Sequence, residues 1–195
     1  YYIDDFPSFP NKNKKSKEMK NLKNWVMACA MVTGTFFVSN SNAQDQKFTD
    51  PEIASIAVTA NQIDVDYAKI AFNKSKDKAV LNFAKTMQTD HEAVIGMATK
   101  LAAKLHVTPK SNAMTQSLLD GAKKMKADLN KKSGKAFNKA YVDNEVAYHE
   151  AVINAVEHVL IPQASNKELK GLLVKVLPSL KVHLEHAKML QKELK

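Results

Sequence analysis

The sequence predicts an all-α fold: an up-and-down bundle of four long helices with one extra short helix. Three observations predict it. Apolar residues recur at intervals of three and four along most of the chain, the period of a helix buried on one side. The 195 residues include only five Gly and six Pro, the two residues that most disfavour a helix interior. No stretch of useful length alternates apolar and polar residues as a half-buried strand does. Hydrophobic residues make up 45 % of the chain, enough to fill a core. The length is that of one domain.

The first 43 residues read as an address, not as part of the bundle. Residues 1–18 are polar and lysine-rich without helical period, and read as an upstream extension; a native cytoplasmic tail is the alternative. Residues 19–43 read as a signal peptide. Lys20 and Lys23 follow Met19 as a positive start, and Trp25–Val38 is an apolar run. That run is shorter than the roughly 20 residues a membrane-spanning helix needs. Ser41 and Ala43 put small residues at the −3 and −1 positions of a cleavage site. The expected address is export across the inner membrane, to the periplasm or the outer membrane. Cys29, the one cysteine, lies inside the apolar run, so cleavage leaves a chain with no thiol, disulfide or thiolate ligand. Ala28 before Cys29 suits a lipid acceptor, but too few apolar residues precede it and the run continues beyond it.

Residues 44–195 carry the helices. Asp50-Pro51-Glu52 marks the first start, with Asp50 as N-cap and Pro51 at the first helical position. The stripe Ile53, Ile56, Ala60, Ile63, Tyr67, Ile70 follows, ending near residues 73–76. A second helix begins near Asp77, with Val80, Ala84, Met87, His91, Val94, Ala98, Leu101 and Leu105 on its buried side. The segment 106–111, with Pro109, breaks it. Residues 112–132 form a shorter helix with a basic outer face, closed by Ser133-Gly134. A fourth helix runs from about Lys135 to Leu160 and is stopped by Pro162. Asn166 caps the last helix, whose stripe includes Leu169, Leu173, Val176, Leu180, His183, Ala187 and Leu190. Pro178 inside that stripe is expected to kink or split it. Short links make successive helices antiparallel neighbours.

All 29 cationic side chains are lysines. The excess of lysine suits weak attraction to an anionic or envelope surface, and Lys123, Lys124, Lys126, Lys131, Lys132 and Lys135 form the densest stretch. A solvated face is the plainer reading of such a run. Nucleic acid is a poor fit, because lysine lacks the bidentate fork of arginine and no aromatics interleave the run.

Five residues point to one level of the bundle. His91 and His183 sit on apolar stripes, His149 lies beside another, and Glu145 precedes His149 by one turn. Asp64 borders the first stripe. An antiparallel turn near residue 76 sets His91 opposite about residue 61, within a turn of Asp64. A turn near residue 163 sets Glu145 within about 5 Å of the level of His183. Imidazole and carboxylate together suit Zn, Fe or Mn, and bundle cores are where such sites are built. The competing reading is a polar network that fixes register and binds nothing. The Glu-x-x-His pairs of di-iron carboxylate proteins are absent, which argues against oxygen-activating chemistry. Tyr67, Tyr141 and Tyr148 read as core aromatics with a polar tip. His158 lies across its helix from His149, and His186 is placed toward the rim. No catalytic triad and no phosphate-binding loop is present in the sequence.

Four pieces in order carry a resemblance: Asn61–Ala71, the run Phe83-Ala84-x-x-Met87-x-x-Asp90-His91, Phe137–His149 with Tyr141, and Leu177-Pro178-x-Leu180-x-x-His183. Together they resemble the bacterial domain-of-unknown-function family 4142, over Thr49–Leu194. The resemblance implies a secreted, ferritin-like four-helix fold of the kind labelled predicted outer membrane protein. It implies an acid at Asp64, where the family more often carries Glu, and matches the family's histidines at His91, His149 and His183. It implies no established activity. The sequence therefore leads to an envelope-associated binding protein rather than an enzyme, with a metal or small ligand held by Asp64, His91, Glu145, His149 and His183. The runner-up is a structural or interaction protein of the envelope.

Overall fold

The computed structural model describes residues 47–194, and among them every element is helical. The signal-peptide reading and the upstream extension lie outside the described residues. Helix α1 spans Asp50–Lys74, α2 Lys78–Lys104, α3 Ala113–Asn130, α4 Gly134–Ala155 and α5 Lys167–Glu193. A π-helical stretch, Val156–Leu160, and a last turn, Ile161–Gln163, prolong α4.

Local chemistry sets these ends. Glu52 reaches back to Thr49 and accepts from its backbone N–H (2.9 Å) and its hydroxyl (2.7 Å). Thr49, not Asp50, is thus the N-cap of α1. The Asp50 carboxylate instead accepts the backbone N–H groups of Ser165 (2.9 Å) and Asn166 (3.0 Å), tying the start of α1 to the loop before α5. Asp77, Asn112 and Asn166 cap α2, α3 and α5 through their own side chains. Pro162 does not stop α4 at residue 160; the wider π turn precedes it and the helix closes one residue beyond. Pro178 does not split α5, which is continuous through it.

The long helices form a ring: α1 packs on α2 and α4, and α5 packs on α2 and α4. Cross-contacts give the directions. His91 meets Asn61, and Tyr148 donates to the Ala60 carbonyl while Phe48 N–H reaches Gln163, so α1 opposes both α2 and α4. Asp90 meets His183 and Lys104 meets Glu168, so α5 opposes α2. Gln191 meets Asp143 and Lys181 meets Glu157, so it opposes α4 as well. Direction alternates along all five helices in chain order. Among the four long ones alone it does not, since α2 and α4 run the same way. The shorter α3 makes the difference: it lies along the outside of α1 and parallel to it, with Asn112 at Glu52, Thr115 at Ser55 and Lys126 at Asp66. It carries the chain back to the end from which α2 started.

Two apolar clusters fill the ring. One holds Tyr67, Val80, Phe83, Met87, Phe137, Tyr141 and Leu190. The other holds Ile53, Ile56, Ile153, Leu160, Leu173 and Leu180. On all four ring helices, among and beside these apolar residues, lie the buried polar residues Asp64, His91, Glu145, His149 and His183. Among the described residues no helix is long and apolar enough to cross a membrane.

Candidate functional site

The structure brings all five sequence-selected residues together. Asp64 and Glu145 are fully buried, and His149, His91 and His183 retain 1 %, 3 % and 4 % exposure. Nine buried side-chain polar atoms among the described residues lack a hydrogen-bond partner, and seven of them belong to these five residues. Native interiors leave few such atoms, so a concentration of them at one level demands a reason.

The histidines supply part of that reason, because each spends one ring nitrogen outward. The Nδ1–H of His149 donates to the Glu145 carbonyl one turn earlier, at 2.9 Å. The His91 Nδ1–H donates to Asn61 Oδ1 at 2.7 Å. Asn61 can only accept there, because its own amide nitrogen donates to the Ala57 carbonyl at 2.8 Å. His183 gives its Nε2–H to Asp90 Oδ2 at 2.9 Å, with Ser179 Oγ 3.3 Å from the same nitrogen. A neutral imidazole carries one N–H, so the remaining nitrogens offer bare lone pairs. Those nitrogens are Nε2 of His91, Nε2 of His149 and Nδ1 of His183, each buried without a partner. The three rings lie 5.2–5.6 Å apart between centroids. One ligand atom from each of the three lies within 4.8 Å of the other two.

The Asp64 carboxylate stands against two of these lone pairs, and Glu145 stands on the Nδ1–H side of His149. Asp64 Oδ2 is 3.3 Å from His91 Nε2 and 3.6 Å from His149 Nε2. Glu145 Oε2 is 3.6 Å from His149 Nδ1. Asp64, Glu145 and His149 form a second set with ligand atoms within 4.8 Å of one another, sharing His149 with the first.

Burial decides the charge states. It lowers His91 to about 3, helped by His149 and His183, and lowers His149 to about 4. It raises Asp64 to about 8, and raises Glu145 well above the usual carboxylate range, where the Asp64 charge adds to the effect. The two carboxyls hydrogen-bond each other only when one keeps a proton. Burial also pushes the Tyr141 and Tyr148 phenols well above 10. Lone pairs of like polarity thus face one another in a low-dielectric layer, and a proton or a cation between them relieves it.

A cavity of about 10 Å³ opens beside Asp64, His91 and His149, lined also by Asn61, Tyr148 and Val152. It has room for one water-sized particle, and not for an organic molecule.

Sequence reading missed the residues that orient the ligand atoms. Asn61 lies one turn before Asp64 on α1, at the level computed for His91, and Asp90 directly precedes His91. Their signal was the height argument itself, applied to acceptors as well as ligands. Tyr141, expected in the core, is fully buried with its hydroxyl unpartnered. His186 packs edge-on against Phe83 at 5.1 Å, and His158 is exposed beside Glu157 at 4.0 Å.

Fold and site define an all-helical protein with a buried histidine–carboxylate layer across four helices. A family model described as Domain of unknown function (DUF4142) matches residues 38–190, and the chain belongs to that family. No curated protein and no solved structure matches it.

Proposed function

We propose that this is an envelope-located, ferritin-like bundle protein that binds one divalent transition-metal ion, Zn, Fe or Mn. The ligands are His91, His149 and His183 with the Asp64 carboxylate, and Glu145 stands behind them. One observation carries the reading: three buried imidazoles on three helices, with ring centroids 5.2–5.6 Å apart, each have one ring N–H tied to an acceptor, which leaves one unpartnered ring nitrogen on each. Outer-shell acceptors of this kind fix the tautomer of metal-binding histidines. The small cavity favours an ion over an organic ligand. Tetrahedral zinc with Zn–N bonds of about 2.1 Å needs donors about 3.4 Å apart, so the rings draw together on binding.

The ferritin-like assignment is supported by the ring of four helices with a single crossover, here made by α3. The missing Glu-x-x-His pairs weigh against a di-iron oxidase. The residues 19–43 support the envelope location, through their signal-peptide pattern.

A second reading, an interaction protein of the envelope, is favoured by Val174, Val182 and Met189. They share one outward side of α5 at 51 %, 66 % and 56 % exposure.

The test is metal analysis of the protein purified without chelator or His tag, beside a His91→Ala/His183→Ala variant. One equivalent of metal in the parent and none in a variant of unchanged helicity is expected. A parent that holds no metal after incubation with each of the three ions refutes the metal reading and leaves the register-setting layer.

A further inference from the structure

The fold regroups the lysines. Lys126 is held by Asp66 at 2.8 Å, and Lys123 and Lys124 stand exposed along α3. Lys131, Lys132 and Lys135 instead join the turn between α1 and α2. The two turns are tied together: Lys74 Nζ donates to the carbonyls of Asn130 and Lys132, and Ser75 Oγ donates to Asn138 Oδ1 at 2.8 Å. Residues 74–78 and 128–135 thus bring six lysines, at 74, 76, 78, 131, 132 and 135, to one end of the molecule against two acids.

Both acids are engaged. Asp77 Oδ1 accepts the N–H groups of Ala79 and Val80, and Asp128 lies 3.9 Å from Lys132. Lys76, Lys78, Lys131 and Lys135 are exposed and have no ion pair among the described residues. On the last turn of α5, at the same end, Lys192 and Glu193 cancel. Phe72, four residues before Lys76, leaves 38 % of its surface in solvent.

We propose that this end is a docking face for the anionic phospholipid surface of a membrane. It is independent of the metal site. Unpaired like charges on two adjoining turns repel one another, and a plane of lipid phosphates relieves that repulsion at every lysine together. Lysine is a point charge that attracts a headgroup without directional demand. Phe72 adds an aromatic side chain able to enter the headgroup layer. Nucleic acid fits less well, since the chain has no arginine fork and, among the described residues, Phe72 is the one exposed large aromatic beside these lysines, a single ring being too few to stack successive bases. With no membrane-crossing helix among the described residues, this contact is peripheral.

The experiment is vesicle sedimentation of the full chain, with phosphatidylcholine vesicles containing or lacking phosphatidylglycerol. The patch variant is Lys76→Glu/Lys78→Glu/Lys131→Glu/Lys135→Glu. The control reverses four lysines at the opposite end, Lys100→Glu/Lys110→Glu/Lys167→Glu/Lys170→Glu, and has the same net charge. Their difference isolates the patch from every segment they share. Binding of the parent that needs phosphatidylglycerol and fades at high salt is expected. The patch variant is expected to lose at least about tenfold in partitioning and the control less than about twofold. Replacing the same four patch lysines by Gln gives an intermediate loss, and serves if the charge-reversed form does not fold. Equal losses in patch and control variants, indifference to phosphatidylglycerol, or tighter binding to duplex DNA than to vesicles each overturn the proposal.

Discussion

At the scale of single residues, the buried layer makes stability depend on pH in two opposed ways. His91 and His149 titrate near 3 and 4 in the fold, below the 6.5 of a free imidazole. They are neutral when folded and take protons on unfolding, so their contribution is complete above about 6.5 and is lost as pH falls toward 4 and 3. Asp64 is raised to about 8 from 3.8, and Glu145 is raised in the same direction. The Asp64 contribution is complete below about 4 and is lost as pH rises through 8, and that of Glu145 is likewise lost with rising pH, through its own raised range. Above pH 6.5 only the carboxyl effect remains. Urea unfolding of the metal-free protein is expected to show stability falling from pH 6.5 to 8.5, and an Asp64→Asn/Glu145→Gln variant is expected to flatten that decline. A parent whose stability rises over the interval contradicts the burial-driven protonation of these carboxyls. The ligand candidates themselves were legible because a histidine or acid on an apolar stripe is conspicuous. Asn61 and Asp90 were not, because an amide or acid that only orients a ring looks like any polar residue at a stripe's edge.

Among elements, the ties between helix ends carry more than the caps within them. Asp50 lies at the start of α1 but holds the backbone N–H groups of Ser165 and Asn166, more than a hundred positions away in the chain. Asp50→Ala is expected to cost about 1–3 kcal/mol, the range for losing charge-assisted hydrogen bonds to backbone. Amide exchange is expected to quicken at Ser165 and Asn166. Unchanged exchange there, with stability lost only by fraying of α1, returns Asp50 to the role of a local cap. The same residue shows how far periodicity and capping rules reach. The stripes located all five helices, Asn166 caps where the rules put it, and Asp77 and Asn112, read only as helix starts, prove to be side-chain caps as well. Asp50 was misassigned because a short polar side chain before Pro satisfies the local rule, while its actual partners are set by tertiary packing. Pro162 was given too much weight, and the split allowed for at Pro178 does not occur, for a related reason. A neighbouring π turn absorbs the first, and packing of α5 against α2 and α4 holds the helix through the second. The parallel course of α2 and α4 was hidden, because no local pattern says that α3 lies outside the ring.

For the whole molecule, the layer joins all four ring helices, so whatever binds there is bound by the folded chain and not by the unfolded one. A ligand at a hundred times its dissociation constant stabilises such a fold by about 2.7 kcal/mol. For a chain of this size that raises the melting temperature by roughly 5–10 °C. The sign of its pH dependence separates the two readings of the layer. A cation must displace the proton that Asp64 keeps up to about pH 8 and that burial and the Asp64 charge hold on Glu145 well above the usual carboxylate range, so binding releases protons and strengthens as pH rises. The melting temperature of the metal-free protein is expected to fall from pH 6.5 to 8.5, while the increment added by zinc grows over the same range. His183→Ala is expected to abolish the increment, leaving the decline of the metal-free form in place, because that decline belongs to the carboxyls. If zinc adds nothing at either pH, the layer is a proton-sharing network that sets the register of four helices. An increment equal at both values and retained in His183→Ala places the ion elsewhere, on the exposed acids of the surface.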